Sequence, residues 1–400
     1  MEAQRDGATK SSAPWDSLPA GGGGPKLQGL INARPREPNH PELPVNRALI
    51  LALGTALCAT PIAFSGLSAV AAPAAAWKAP ITSDGHPDLT GYWSNATLTR
   101  EQRSPKLGDR LVYTPAEVKE LENAVVQEVK EGNEPTDPNA PAEAPKPKPG
   151  AVIRPEFAAA GGDVGGYNRG WLDPGSSVMR VGGEPRTSFL TTPNGQPPAR
   201  LPSAKPAPGF GRGGGGLGSF DNPESRSLGE RCIMGFGRNA GPPMLPNGFY
   251  NNNYQFMQTR DAFIIEVEMV HDTRVVRLNA THRTDGVRPW MGDSVGHWEG
   301  ETLVVETTNI PQIQAYNGSW KNLTVTERFT RVGKERVLYK YEIKDPTVWE
   351  KPWGGEYEFG PLHGVIYEYA CHEGNYALPG MLAGARAQEK EASAKGGGAN

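Results

Sequence analysis

Cysteine is scarce: Cys58, Cys232 and Cys371 are the only three in 400 residues. None has the Cys-x-x-Cys spacing of a thiol redox pair or a zinc knuckle. An excess of either charge is also missing. Lys and Arg number 41 against 44 Asp and Glu, a formal net charge of -3, so no global basic field exists to hold nucleic acid or an anionic membrane. The chain has no His-Glu-x-x-His or His-x-His, no Gly-x-Gly-x-x-Gly following a strand, no P-loop and no Gly-x-Ser-x-Gly elbow. Nucleotide-dependent redox chemistry, ATP use and the usual serine-hydrolase fold are therefore disfavoured. The reading is of a protein with no cofactor and no motif-encoded metal, a metal site gathered from distant strands being the alternative left open.

Long uninterrupted helix is lacking too, because 50 Gly and 38 Pro punctuate the chain. That composition excludes a helical bundle or coiled coil, while 37% apolar residues suffice for one sizeable core. The one long uncharged run is residues 48–76, preceded by Arg47 and ending in small residues, with Ala69-Val70-Ala71 or Ala74-Ala75-Ala76 at the end. This is the anatomy of a secretory signal peptide, placed at 45–76. The rival is an uncleaved anchor, which Gly54, Pro61, Gly66 and Pro73 argue against. Residues 1–44 read as a disordered or mis-called extension, with Val45 as an alternative start. Export then implies a periplasmic or secreted protein without stable membrane insertion after cleavage.

From residue 77 onward a single β-rich domain is expected to run to 385, with linker-like insertions at 134–150 and 196–219 and a disordered tail at 386–400. Thr114-Pro115-Ala116-Glu117 reads as a capping box opening one short helix that ends near Gly132. Period-2 alternation dominates the rest. It covers residues 263–269 and 273–278 about a turn at His271-Asp272, and residues 297–306 about Glu299-Gly300-Glu301. It continues through 323–329 and 337–343 about a turn at 331–335, with a last strand at 364–369. Residues 186–195 are expected to add strands to the same sheet, and Trp349 and Trp353 to sit on a loop. Short strands joined by local turns imply a mostly β fold, an antiparallel up-and-down sheet curled into a barrel or a sandwich.

Several motifs resemble those of a family of secreted bacterial proteins from sphingomonads and acidobacteria. They are PDLTGYW at 87–93, YNRGWLD at 167–173, RTS at 186–188, EMVHDTR at 268–274, RPWMGDS at 288–294, GHWEGETLVVET at 296–307, VTERF at 325–329 and YEYACHEGNY at 367–376. The resemblance spans nearly the whole exported chain and implies export but no particular reaction. Gly91-Tyr92-Trp93 also resembles the first-strand motif of lipocalin-like proteins. That analogy implies an up-and-down barrel around a pocket for a small hydrophobic molecule, and some such proteins are hydratases or isomerases.

Cys232 and Cys371 are the cysteines that remain after signal removal, and in an oxidising compartment they are expected to pair. Candidate acid-base groups are His271 or His297, with Asp293 or Glu299 to orient the imidazole. Arg274 or Arg288 would steady negative charge, Trp290 would pack on a ligand, and His372 and Glu373 are further ligand-binding candidates. Each also has a bland reading as a structural side chain. Dense aromatics, Trp290, Trp298, Trp320, Trp349 and Trp353 among them, suit either a pocket for an aromatic, terpenoid or sugar ligand or a filled core. The expected function is a cofactor-independent lyase, dehydratase or isomerase acting on a small hydrophobic or aromatic molecule. The alternatives are a non-catalytic periplasmic binding protein for such a ligand and a structural envelope role. Oligomeric state is left open.

Overall fold

The computed structural model describes residues 77–132, 175–204, 220, 222–235, 237–247 and 251–396. The signal segment, the 134–150 insertion and the YNRGWLD motif lie outside these. Nine strands close into one barrel: β1 (Gly91–Ser94), β4 (Asn253–Gln258), β5 (Ala262–Val267), β6 (Thr273–Leu278), β7 (Asp293–Glu299), β8 (Thr302–Thr308), β9 (Thr324–Gly333), β10 (Arg336–Lys344) and β11 (Trp353–Pro361). The remaining strands, β2 (Arg180–Val181) and β3 (Glu184–Pro185), form a separate small hairpin. Closure decides between barrel and sandwich. It also requires a departure from a purely up-and-down sheet, since a ring with an odd number of strands cannot be antiparallel throughout. The necessary parallel pair is β6–β7, registered Arg277 to Val295, with residues 279–292 as the crossover.

The alternation in the sequence becomes the two faces of the barrel wall. Phe263, Ile265 and Val267 of β5, Val325 and Phe329 of β9, and Val337, Tyr339 and Ile343 of β10 are all completely buried. The centre is filled by interlocking rings: Phe256 contacts Phe263, Phe329 and Phe359 edge-on, with centroids 5.2–5.9 Å apart. Gly300, with φ of 59°, turns the β7–β8 hairpin. The predicted helix is α1 (Pro115–Gly132), where the Thr114 N–H donates to Glu117 Oε2 at 2.8 Å and the Glu117 N–H returns to Thr114 Oγ1 at 3.3 Å.

Five expectations are corrected in whole or in part. Residues 364–369 are not a strand; β1 takes the place beside the end of β11, pairing Trp93 with Pro361, and the chain leaves the barrel there. Trp353 opens β11 instead of sitting on a loop; Trp349 does lie on the loop between β10 and β11, and both rings are buried in the core. Residues 186–195 add no strand to the barrel sheet: they meet β11 through one bridge, Leu190 to Gly355, with Arg186 paired to Glu356 and Phe189 against Tyr357. They form instead a nest of turns around Arg103, whose guanidinium donates to Thr187 Oγ1, Ser188 Oγ and the carbonyls of Gly108 and Pro193. The tail is helical as far as residue 396, as α2 (Ala377–Gly396). The first part of the 196–219 insertion is also anchored, Leu201 N–H donating to the Val348 carbonyl at 2.8 Å.

Cys232 and Cys371 are disulfide-bonded, with Cα atoms 5.7 Å apart. Among the described residues no helix is long and apolar enough to cross a membrane.

Candidate functional site

The two ends of the barrel are closed differently. At the β5–β6 end, residues 237–247 lie over an inward-facing polar floor. The Met244 N–H donates to Tyr339 Oη at 2.8 Å and the Tyr357 hydroxyl donates to the Met244 carbonyl at 3.0 Å. Asn95 bridges Tyr254 and Tyr357, and the Tyr254 hydroxyl reaches the Asn239 carbonyl at 3.1 Å. Beneath them Arg274 makes a bidentate pair with Glu327 at 2.8 and 2.9 Å, and Tyr339 donates to the same carboxylate. Burial alone would lower the Arg274 pKa, but the facing Glu327 outweighs it and the net shift is upward. Burial pushes the Tyr339 and Tyr357 hydroxyls well above their ordinary range, so they remain protonated donors. This arrangement pairs the buried charge of Arg274 with that of Glu327 at the closed end.

At the opposite end the entry segment, residues 84–90, folds over the mouth. Completely buried Leu89 is its anchor: its N–H donates to Gln258 Oε1 at 3.1 Å and its carbonyl accepts from Trp93 Nε1 at 3.1 Å. Arg331 also donates to the Asp88 carbonyl. Between this segment and the rim is a cleft of about 180 Å³, lined by Asp84, His86, Gln258, Thr259, Arg260, Leu278, Asn279 and Trp298. Gln258, Leu278 and Trp298 come from the ends of β4, β6 and β7. The His86 ring stacks on Trp298, with centroids 4.9 Å apart and planes 4° from parallel. Asp84 and Arg260 face the same space with opposite charge.

A second cluster sits on the barrel's outer wall under the β6–β7 crossover. His282 Nδ1 lies 3.0 Å from Asp293 Oδ2 and its Nε2 lies 3.2 Å from Glu306 Oε1. Arg277 donates to Asp293 Oδ1 at 2.9 Å and the Arg283 N–H to Oδ2 at 2.8 Å. Burial would raise the Asp293 pKa, but these donors outweigh it and hold the carboxyl below its ordinary value. Asp293 thus orients an imidazole, and that imidazole is His282.

Comparison with family models, with curated proteins and with solved structures finds no match for this chain.

The other sequence candidates are dispersed. His297 pairs with Glu299 at 3.2 Å on an exposed strand end, where Arg328 first and His297 second hold Glu299 below its ordinary pKa. His271 is exposed at the β5–β6 corner, its Nε2 accepting the Tyr369 N–H at 3.2 Å. Arg274 is committed to Glu327. Arg288 donates to the carbonyls of Ile310 and Lys321 and lies over the Trp320 ring. Trp290 is 46% exposed on the crossover. His372 and Glu373 are exposed beside the disulfide. The residues missed are His86, Asp84 and Asn279 at the mouth and His282 under the crossover. The PDLTGYW motif at 87–93 marks this segment, but nothing in spacing tells that it folds back onto Trp298.

Proposed function

We propose that this is an exported small-molecule-binding protein that holds a single ring-shaped ligand at the barrel mouth. The observation that carries the reading is the parallel His86–Trp298 stack beside an open cleft; barrel mouths are favoured ligand sites because a rigid wall there presents several side chains to one space. The packed aromatic centre and the closed β5–β6 end support the mouth over the interior. Export is supported by the signal-like run at 45–76, by the disulfide, and by the resemblance to secreted bacterial proteins.

A second reading, a lyase, dehydratase or isomerase working by proton transfer, is favoured by one observation: a carboxylate of low pKa holds Nδ1 of His282, the arrangement that orients a general base. His282 then replaces His271 and His297 in that role, and Trp290 and Arg288 lie on the same crossover.

One experiment tests both. Oxidised protein is titrated with a library of small ring compounds by tryptophan fluorescence, and each bound compound is followed for turnover. Binding is expected to weaken about 3- to 10-fold in Trp298→Ala and in His86→Ala, as loss of an aromatic contact predicts. Equal affinity in both variants would remove the mouth reading. Turnover that His282→Gln abolishes without changing affinity would establish the second.

A further inference from the structure

The polar lining of the mouth says more about its occupant than the aromatic pair does. We infer that the cleft takes a neutral polyhydroxylated ring, a single sugar residue, in place of the apolar aromatic that aromatic density alone suggests. This rests on the mouth being a binding site. At about 180 Å³ the space is smaller than the ~300–1,000 Å³ of pockets for drug-sized ligands and suits one substituted ring rather than an extended chain. Trp298, Leu278 and the His86 ring supply its apolar surface, which is the larger part of the lining. Around them stand four polar side chains with unused capacity among the described residues. The Asp84 carboxylate and the Asn279 amide have no hydrogen-bond partner. Gln258 spends its oxygen on the Leu89 N–H and keeps its NH₂ free. Arg260 makes only a 3.4 Å contact, to its neighbour Asp261.

Asp84, Arg260 and Asn279 are exposed, and an apolar ring lying against them would displace part of their water without returning a hydrogen bond, each such group weakening binding by up to roughly tenfold. A stacking contact recovers no more than about that factor once. A pyranose meets both demands. Its C–H groups pack on the side of the stacked His86–Trp298 pair that is open to the cleft, and its ring of hydroxyls, each a donor and an acceptor, matches a carboxylate, two amides and a guanidinium. The single carboxylate and the single guanidinium balance, so the cleft selects neither an anion nor a cation.

The test uses the full chain with its disulfide intact. Glucose, galactose, mannose and cellobiose are compared with phenol, 4-hydroxybenzoate and indole by saturation-transfer NMR and calorimetry, on wild type and on Trp298→Ala, Asp84→Ala and Asn279→Ala. At least one sugar is expected to bind saturably, more tightly than any of the aromatics, about 3- to 10-fold weaker in Trp298→Ala and about tenfold weaker in Asp84→Ala and in Asn279→Ala. Tighter, Trp298-dependent binding of an aromatic would overturn the ligand class while leaving the mouth as the site. Sugar binding indifferent to all three substitutions would overturn the placement, and saturable binding by no compound of either set would overturn both.

Discussion

Asp272 shows how one residue's surroundings set a property of the whole chain. It ends the β5–β6 corner, where Val270 and His271 both adopt left-handed backbone with φ of 58° and 52°, a conformation that a β-branched residue adopts only when its surroundings enforce it. The carboxyl is 7% exposed and accepts the Gly235 N–H at 2.8 Å. Burial outweighs that one hydrogen bond and pushes its pKa up to about 6. A carboxyl whose folded pKa lies above its unfolded value binds its proton more tightly when folded. Its stabilising contribution is fully present below the unfolded pKa and is lost as pH rises through about 6. At neutral pH the ionised form costs up to roughly 3 kcal/mol. Asp272→Asn, which keeps an oxygen for Gly235, is expected to raise the midpoint of thermal unfolding at pH 7.5. It should also flatten the gain in stability that wild type shows between pH 7.5 and 5. A variant less stable than wild type at pH 7.5 would mean that the carboxylate has a compensating partner.

Among the elements, β10 and β11 approach so closely that one position admits only glycine. A Cβ built on Gly354 lies 1.9 Å from the Tyr341 carbonyl oxygen and 3.0 Å from the Glu342 Cα, and both are backbone atoms of the paired strand that cannot swing away. Gly354→Ala must therefore part the two strands and is expected to cost about 3 kcal/mol or more. Gly360→Ala on the same strand, with nothing within 4 Å, should change little; equal losses in chemical denaturation would show that strand propensity, not the close approach, is at work. The same glycine explains what was legible in the sequence. β5, β6, β9 and β10 announce themselves because β-branched and aromatic residues alternate along them, and α1 because its capping box is local. β11 was hidden because Trp353-Gly354-Gly355 has loop composition, and its close packing is visible only against β10. β4 was hidden by the asparagines at 251–253, two of which, Asn251 and Asn253, serve the Glu268 carboxylate. At the candidate sites Asp293 is expected from the sequence to orient His271 or His297, whereas it faces His282. Its partner depends on where the crossover lies across the β6–β7 pair, which spacing along the chain does not encode.

For the molecule as a whole, the disulfide and the seam of the barrel bear on one problem. Strands β4 to β11 follow one another along the chain, but the ring is completed by β1, which arrives from far upstream to pair with β4 on one side and β11 on the other. The Cys232–Cys371 bridge spans 139 residues and brackets every barrel strand except β1. In the loop-entropy model such a closure is worth about 5 kcal/mol, all of it in keeping the two ends of the β4–β11 run near each other. Those ends are the two edges between which β1 must insert. The Asn375 side chain reinforces the tie by donating to the Glu230 carbonyl at 2.8 Å. A double variant, Cys232→Ser with Cys371→Ser, is therefore expected to lose several kcal/mol of global stability and to lose it unevenly. Amide hydrogen exchange should accelerate most at residues 91–94 and at their partners in β4 and β11, and least between β7 and β8 on the far side of the ring. Because β1 and residues 84–90 are continuous, the mouth cleft should loosen with the seam, and any ligand that binds there should slow exchange at residues 91–94 in the double variant. Uniform acceleration around the ring would show that the bridge merely stabilises the fold as a whole and has no special part in closing it.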